Sequence, residues 1–164
     1  MSRRTSADTA PAGAGGERLN RHTTGNPVER GTIYTLGYSQ RNAAATLERL
    51  MRHPRTLLVD VRYQPVVSGW NPQWNRASLA GRYGERYVWE RRLGTLQSRG
   101  RDVPIQLAPG SQHAIEEAVG LLCAGTSLVL LCACAHERAC HRSSVAKLIQ
   151  DGLPVPRVAQ EVWT

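Results

Sequence analysis

The chain has 164 residues, a formal net charge of +8, 41% hydrophobic residues and no phenylalanine. That length suits one domain with a real core. No stretch approaches the roughly 18 apolar residues of a membrane span, and none the roughly 7–15-residue apolar run of a signal peptide. A soluble, cytoplasmic protein without membrane contact is expected, with Cys123, Cys132, Cys134 and Cys140 as thiols or ligands rather than disulfides.

Of the 21 basic residues, 20 are Arg, and they are unevenly spread. Arg62 to Arg101 holds eight Arg against Glu85 and Glu90, together with Tyr63, Trp70, Trp74, Tyr83, Tyr87 and Trp89. Arg interleaved with Trp and Tyr suits phosphate contact and base stacking. The bland reading is a solvated basic face over ordinary core aromatics.

Residues 1–30 are rich in Ala, Gly, Thr, Arg and Pro and have no apolar period, which predicts a disordered tail ahead of a single domain over 31–164. Thr32–Leu36 reads as the first strand and Gly37-Tyr38-Ser39 as the loop after it. Residues 42–53 predict a helix with Ala44, Leu47, Leu50 and Met51 on one face, Asn42 as its cap and Pro54 as its stop. Thr56–Val61 is a second apolar strand that contains Asp60. A carboxylate ending a buried strand is costly unless paired or functional.

Residues 63–75, with Pro65, Gly69 and Pro72, form a loop long enough to bind something. A short helix over Ala77–Gly84 and a short strand over Arg86–Trp89 follow, then an irregular stretch over 94–110. Ser111–Ala124 predicts a helix with Ile115, Ala118, Val119 and Leu122 on one face and Gly125 as its cap.

Leu128–Cys132 is an apolar run of the kind buried in parallel sheets. A helix beginning near His141 follows it, with Val145, Leu148 and Ile149 on one face and Gly152 at its end. Val155–Val162, broken by Pro156, is at best an edge strand.

Strands alternating with helices predict a three-layer α/β fold, Rossmann-like or flavodoxin-like, with a mainly parallel sheet and helices on both faces. The carboxyl ends of the strands, where such folds bind ligands, then collect three polar clusters: Gly37-Tyr38-Ser39, Asp60 to Arg62, and Cys132 to Arg142.

These clusters resemble the family known as domain of unknown function 488. The matching residues are Leu36-Gly37-Tyr38-Ser39, Asp60-Val61-Arg62-Tyr63-Gln64-Pro65, Leu93-Gly94, and Leu130-Leu131-Cys132 with Cys140-His141-Arg142. Tyr38 stands where the family has His, and Cys134 where members often have an acid. The resemblance implies an α/β fold; the family's name carries no function.

The chemistry therefore rests on the residues. Asp60 is the only acid of the three clusters besides Glu137. A carboxylate there can stabilise the oxocarbenium-like state of N-glycosidic cleavage and orient the attacking water. Asp60, Arg62 and His141 form the candidate catalytic set. Tyr38, Ser39, Tyr63, Trp70, Asn71, Trp74, Cys132, Cys140 and Arg142 form the candidate substrate-binding set, the Arg residues for phosphate and the aromatics for an extruded base. If Asp60 is catalytic, Asp60→Asn loses activity and keeps stability; the other possibility is a structural ion pair with Arg142. The expected partner is nucleic acid, DNA ahead of RNA. A non-catalytic binding module is the alternative.

A zinc site is a further reading of Cys132, Cys134, His136, Cys140 and His141. The segment is read as extended with the Cys132 and Cys134 sulfurs diverging, so no metal or other cofactor is expected. Thiol chemistry at Cys140, near a helix start, is the remaining reading. Cys132-x5-Arg138 has the spacing of a cysteine phosphatase loop, but residues 133–137 lack the glycines that let N–H groups converge on phosphate.

Overall fold

The computed structural model describes residues 29–67, 71–96, 105–138 and 140–154. The expected tail over 1–30, apart from its last two residues, and the expected edge strand over 155–162 lie outside them. Four strands, β1 (Ile33–Gly37), β2 (Thr56–Asp60), β3 (Tyr87–Trp89) and β4 (Ser127–Cys132), form one sheet in the order β1-β4-β2-β3, and every pairing is parallel. The helices are α1 (Ala43–Met51), α2 (Arg76–Tyr83), α3 (Ser111–Cys123) and α4 (His141–Asp151). Among the described residues, no helix is long and apolar enough to cross a membrane.

Strand residues of alternate parity feed two cores, because successive side chains leave a strand on opposite faces. Val59, Val61, Leu128, Leu130 and Cys132 pack with Ala114, Ile115, Ala118 and Leu122 of α3 and Val145, Ala146 and Ile149 of α4. Leu36, Leu58, Val129 and Leu131 pack with Ala43, Leu47 and Met51 of α1 and Leu79 and Tyr83 of α2. The result is the expected three layers, with β4 and β2 covered on both faces. That double burial is why both strands read as continuous apolar runs.

Three local expectations are corrected. Leu148 and Ala44 are exposed, and Ala146 and Ala43 are the buried residues instead. Asn42 sits at the start of α1 with φ 63°, and its side chain makes no capping bond. The stretch over 94–110 is not wholly irregular, since Thr95 and Leu107 form an antiparallel bridge. The end of α3 is built as expected. Gly125 takes φ 83°, its N–H bonds Leu122 O, and Thr126 N–H bonds Leu121 O, a Schellman closure that favours glycine.

Candidate functional site

All three polar clusters stand at the carboxyl ends of strands. β1 ends at Gly37, β2 at Asp60 and β4 at Cys132, and the registers Gly37↔Cys132 and Asp60↔Leu131 align these ends. The strand parity then separates two centres along this rim.

The first centre surrounds Asp60 on the α1/α2 side. Asp60 is fully buried, and Arg62 is 5% exposed. Arg62 turns back on Asp60 in a two-pronged pair, Nε to Oδ1 at 2.7 Å and Nη2 to Oδ2 at 2.5 Å. The Arg62 backbone N–H donates to Oδ1 and the Tyr87 hydroxyl to Oδ2 at 2.8 Å. Both carboxylate oxygens are therefore filled by donors. The partner of Asp60 is Arg62, not Arg142.

Further bonds hold Arg62 in place. Its Nη2 donates to Trp74 O, and its own carbonyl accepts from Trp89 Nε1, both at 2.8 Å. Burial lowers the Arg62 pKa, but the Asp60 carboxylate outweighs it and the net shift is upward. The Tyr87 hydroxyl is pushed upward by burial first and by the Asp60 charge second. The Arg62 guanidinium stays charged and the phenol stays a donor at neutral pH.

The expected aromatic groups divide. Trp74 is buried in the core, with the half-buried Tyr38 stacked on it at 5.6 Å between ring centroids. Arg62 lies over the same Tyr38 ring, 5.4 Å from its centroid. Trp74 thus has no free face for a base, which corrects its expected role. Tyr63 is half-buried under the exposed Arg91 at 4.2 Å, and Trp89 under the exposed Arg76 at 4.4 Å. Ser39 and Asn71 are exposed at the edge of this region. Trp70 lies outside the described residues. Arg92 is engaged by Glu90 and Glu117.

The second centre lies on the α3/α4 side. Cys132, Cys140 and His141 are buried, and their ligand atoms all fall within 4.8 Å of one another. Cys134 Sγ is 4.0 Å from Cys132 Sγ. The expectation that these two sulfurs face opposite ways fails, because alternation puts neighbouring residues on opposite faces and residues two apart on the same one. Cys134 follows the last residue of β4 by two positions. His136 is exposed.

The Cys140 thiol beside Cys132, helped by His141, pushes the Cys132 pKa down to about 3, although burial opposes it. Cys140 moves the other way, raised by the neighbouring Cys132 sulfur and then by burial. Burial lowers the His141 pKa, and the Cys132 sulfur more than reverses this. A thiolate in contact with an imidazole is chemically able to bind a soft metal or to act as a nucleophile.

Arg142 joins the two centres. It is fully buried, and its Nη1 donates to Cys134 O at 2.6 Å. Its Nη1 also lies 2.7 Å from where a side chain on Gly37 would begin. Arg62 Nη1, Arg142 Nε and Arg142 Nη2 are buried with no hydrogen-bond acceptor among the described residues. The two guanidiniums thus flank the Gly37–Tyr38 turn.

The family described as Domain of unknown function DUF488 matches residues 42–149. The chain belongs to this family. The match includes Asp60 to Arg62 and Cys132 to Arg142, whereas Gly37 to Ser39 lie before it. No curated protein and no solved structure matches the chain. In this DUF488 chain, the sequence marked the segment that holds Tyr87, Trp89 and Arg76 but left these three residues out of the candidate sets. Tyr87 and Trp89 reach the site through the β2–β3 register, Leu58↔Tyr87 and Asp60↔Trp89, which links residues far apart in sequence.

Proposed function

We propose that this chain is a nucleic-acid-binding protein that holds a nucleotide phosphate at the carboxyl rim, on Arg62 and Arg142. One observation carries the reading. Three nitrogens of these two buried guanidiniums have no acceptor among the described residues. A buried donor left unpaired costs about 1–3 kcal/mol, and more when charged. A phosphate, with several acceptor oxygens in guanidinium geometry, offsets that cost. The exposed Arg91 over Tyr63 and Arg76 over Trp89 add cations along the same region, and the net charge of +8 suits a polyanion. DNA is the first ligand to test, ahead of RNA.

Hydrolysis of an N-glycosidic bond is the activity to which this reading extends, with Asp60 as the carboxylate. Its support is weaker, because both oxygens of Asp60 already accept hydrogen bonds, whereas the guanidiniums keep unpaired donors. In the binding reading Asp60 is a positioning residue that aims Arg62.

Affinity for a DNA oligonucleotide should fall linearly in log–log against salt concentration. Arg91→Glu and Arg76→Glu should each reduce the slope by about 1. Both side chains are exposed, so neither variant threatens the core. Affinity indifferent to salt would sink the proposal. Mass analysis of the bound oligonucleotide separates the two activities: an intact strand fits binding alone. Base loss abolished in a folded Asp60→Asn variant would make Asp60 catalytic.

A further inference from the structure

We infer that Cys132, Cys134, Cys140 and His141 form a zinc site at the end of β4, a structural centre that ties the segments carrying Cys134 and Cys140 to the sheet. This inference does not rest on the nucleic-acid reading. It overturns the expectation of a metal-free chain, whose premise was that Cys132 and Cys134 diverge.

The distances fit. Tetrahedral zinc, with Zn–S of about 2.3 Å and Zn–N of about 2.0–2.1 Å, has neighbouring ligand atoms about 3.5–3.8 Å apart. Here Cys132 Sγ is 3.8 Å and Cys140 Sγ 4.0 Å from His141 Nδ1, and Cys134 Sγ is 4.0 Å from Cys132 Sγ. Cys132, Cys140 and His141, whose ligand atoms all lie within 4.8 Å of one another, need only draw together on an ion; Cys134 lies outside that group and completes the set by turning its thiol inward beside Cys132.

His141 is oriented for this role. Its Nε2 is 2.8 Å from Val61 O. A carbonyl only accepts, so Nε2 carries the proton and Nδ1 turns its lone pair toward the sulfurs. Ligating histidines are commonly fixed in this way, through the nitrogen that does not touch the metal.

The loop is also held in the shape the site needs. Cys140 N–H bonds Glu137 O, Ser143 Oγ donates to Cys140 O, and Arg142 Nη1 holds Cys134 O. Three thiolates and one imidazole select zinc over magnesium or calcium, which take oxygen ligands. Four protein ligands leave no open position, so the site is structural rather than catalytic. Binding releases the remaining thiol protons to solvent and adds its free energy to folding. Arg142, adjacent to two ligands, is fixed at the rim by the same ion.

The test is elemental analysis of the full chain purified without chelator, with a cobalt(II) titration followed by absorbance. About one zinc per chain is expected, and cobalt should give sulfur-to-metal charge transfer with the intense visible bands of tetrahedral coordination. Cys123 is exposed and distant from this set in sequence, so Cys123→Ser should keep the metal. Cys140→Ser should weaken zinc affinity by more than the roughly 10–100-fold that follows loss of a ligand's supporting partner. Cys134→Ser should do the same and, being only half-buried, carries the test if Cys140→Ser fails to fold. Metal content far below one per chain with no cobalt charge-transfer band would overturn the inference. So would zinc affinity unchanged in Cys134→Ser, which would remove the fourth ligand.

Discussion

Asp60→Asn should destabilise the protein by about 3–5 kcal/mol, the range for breaking a buried ion pair by removing one partner. The carboxylate has no exposed surface and Arg62 is 5% exposed, so neither group can recover water without the site opening. With Asn at this position, the Arg62 guanidinium keeps Trp74 O as its acceptor, and its charge is uncompensated. The amide can still accept one bond, from Tyr87 or from the Arg62 backbone. It cannot reproduce the two-pronged pair. Urea denaturation should show the midpoint falling with an unchanged m-value. A double variant, Asp60→Leu with Arg62→Met, should recover much of the loss, because it strands no charge. If Asp60→Asn instead keeps or raises the midpoint while base release from an oligonucleotide disappears, Asp60 is catalytic and its pairing with Arg62 yields to substrate.

The architecture was legible in the sequence because burial on both faces leaves its mark on composition. β4 is apolar at nearly every position and β2 through its middle, and such runs have few other uses in a chain this size. Helical periodicity found α1, α3 and α4 but overextended their apolar faces. Leu148 and Ala44 lie at the margin of the stripe, and the residues closest to the sheet include small ones, Ala43, Ala114 and Ala146. Periodicity counts apolar residues and is blind to how closely two elements approach. The rim was legible in outline, since Asp60, Arg62 and the Cys/His segment stand out against the strands they end. The pairing was not. Asp60 with Arg62 depends on a side chain folding back across two residues, and Tyr87 depends on strand register. The Cys132–Cys134 geometry was misread for a definite reason. Alternation sends neighbours to opposite faces and residues two apart to the same face, so it gave no ground for Cys132 and Cys134 to diverge.

Gly37→Ala should be the most disruptive glycine-to-alanine change among the described residues, with a loss at or above the roughly 1–3 kcal/mol typical of overpacking. A Cβ on Gly37 would fall 1.7 Å from the Cys134 carbonyl oxygen and 2.7 Å from Arg142 Nη1. The first of these neighbours is backbone and cannot rotate away. Gly37 is also locked in register, paired with Cys132 in the β1–β4 ladder, and Tyr38 N–H bonds Cys132 O at 2.9 Å. Relief must therefore come from the bend that carries Cys134, at the expense of the bond from Arg142 Nη1 to Cys134 O. The variant should show a lowered denaturation midpoint together with faster thiol labelling of Cys134 and Cys140, as the bend lifts from the sheet. Gly81→Ala is the matched control: it lies in α2 with nothing within 4 Å of the added carbon, and alanine gains helix propensity there. Equal stability of the two variants would show that the bend yields freely. Arg142 would then owe its position to something other than the close approach at Gly37.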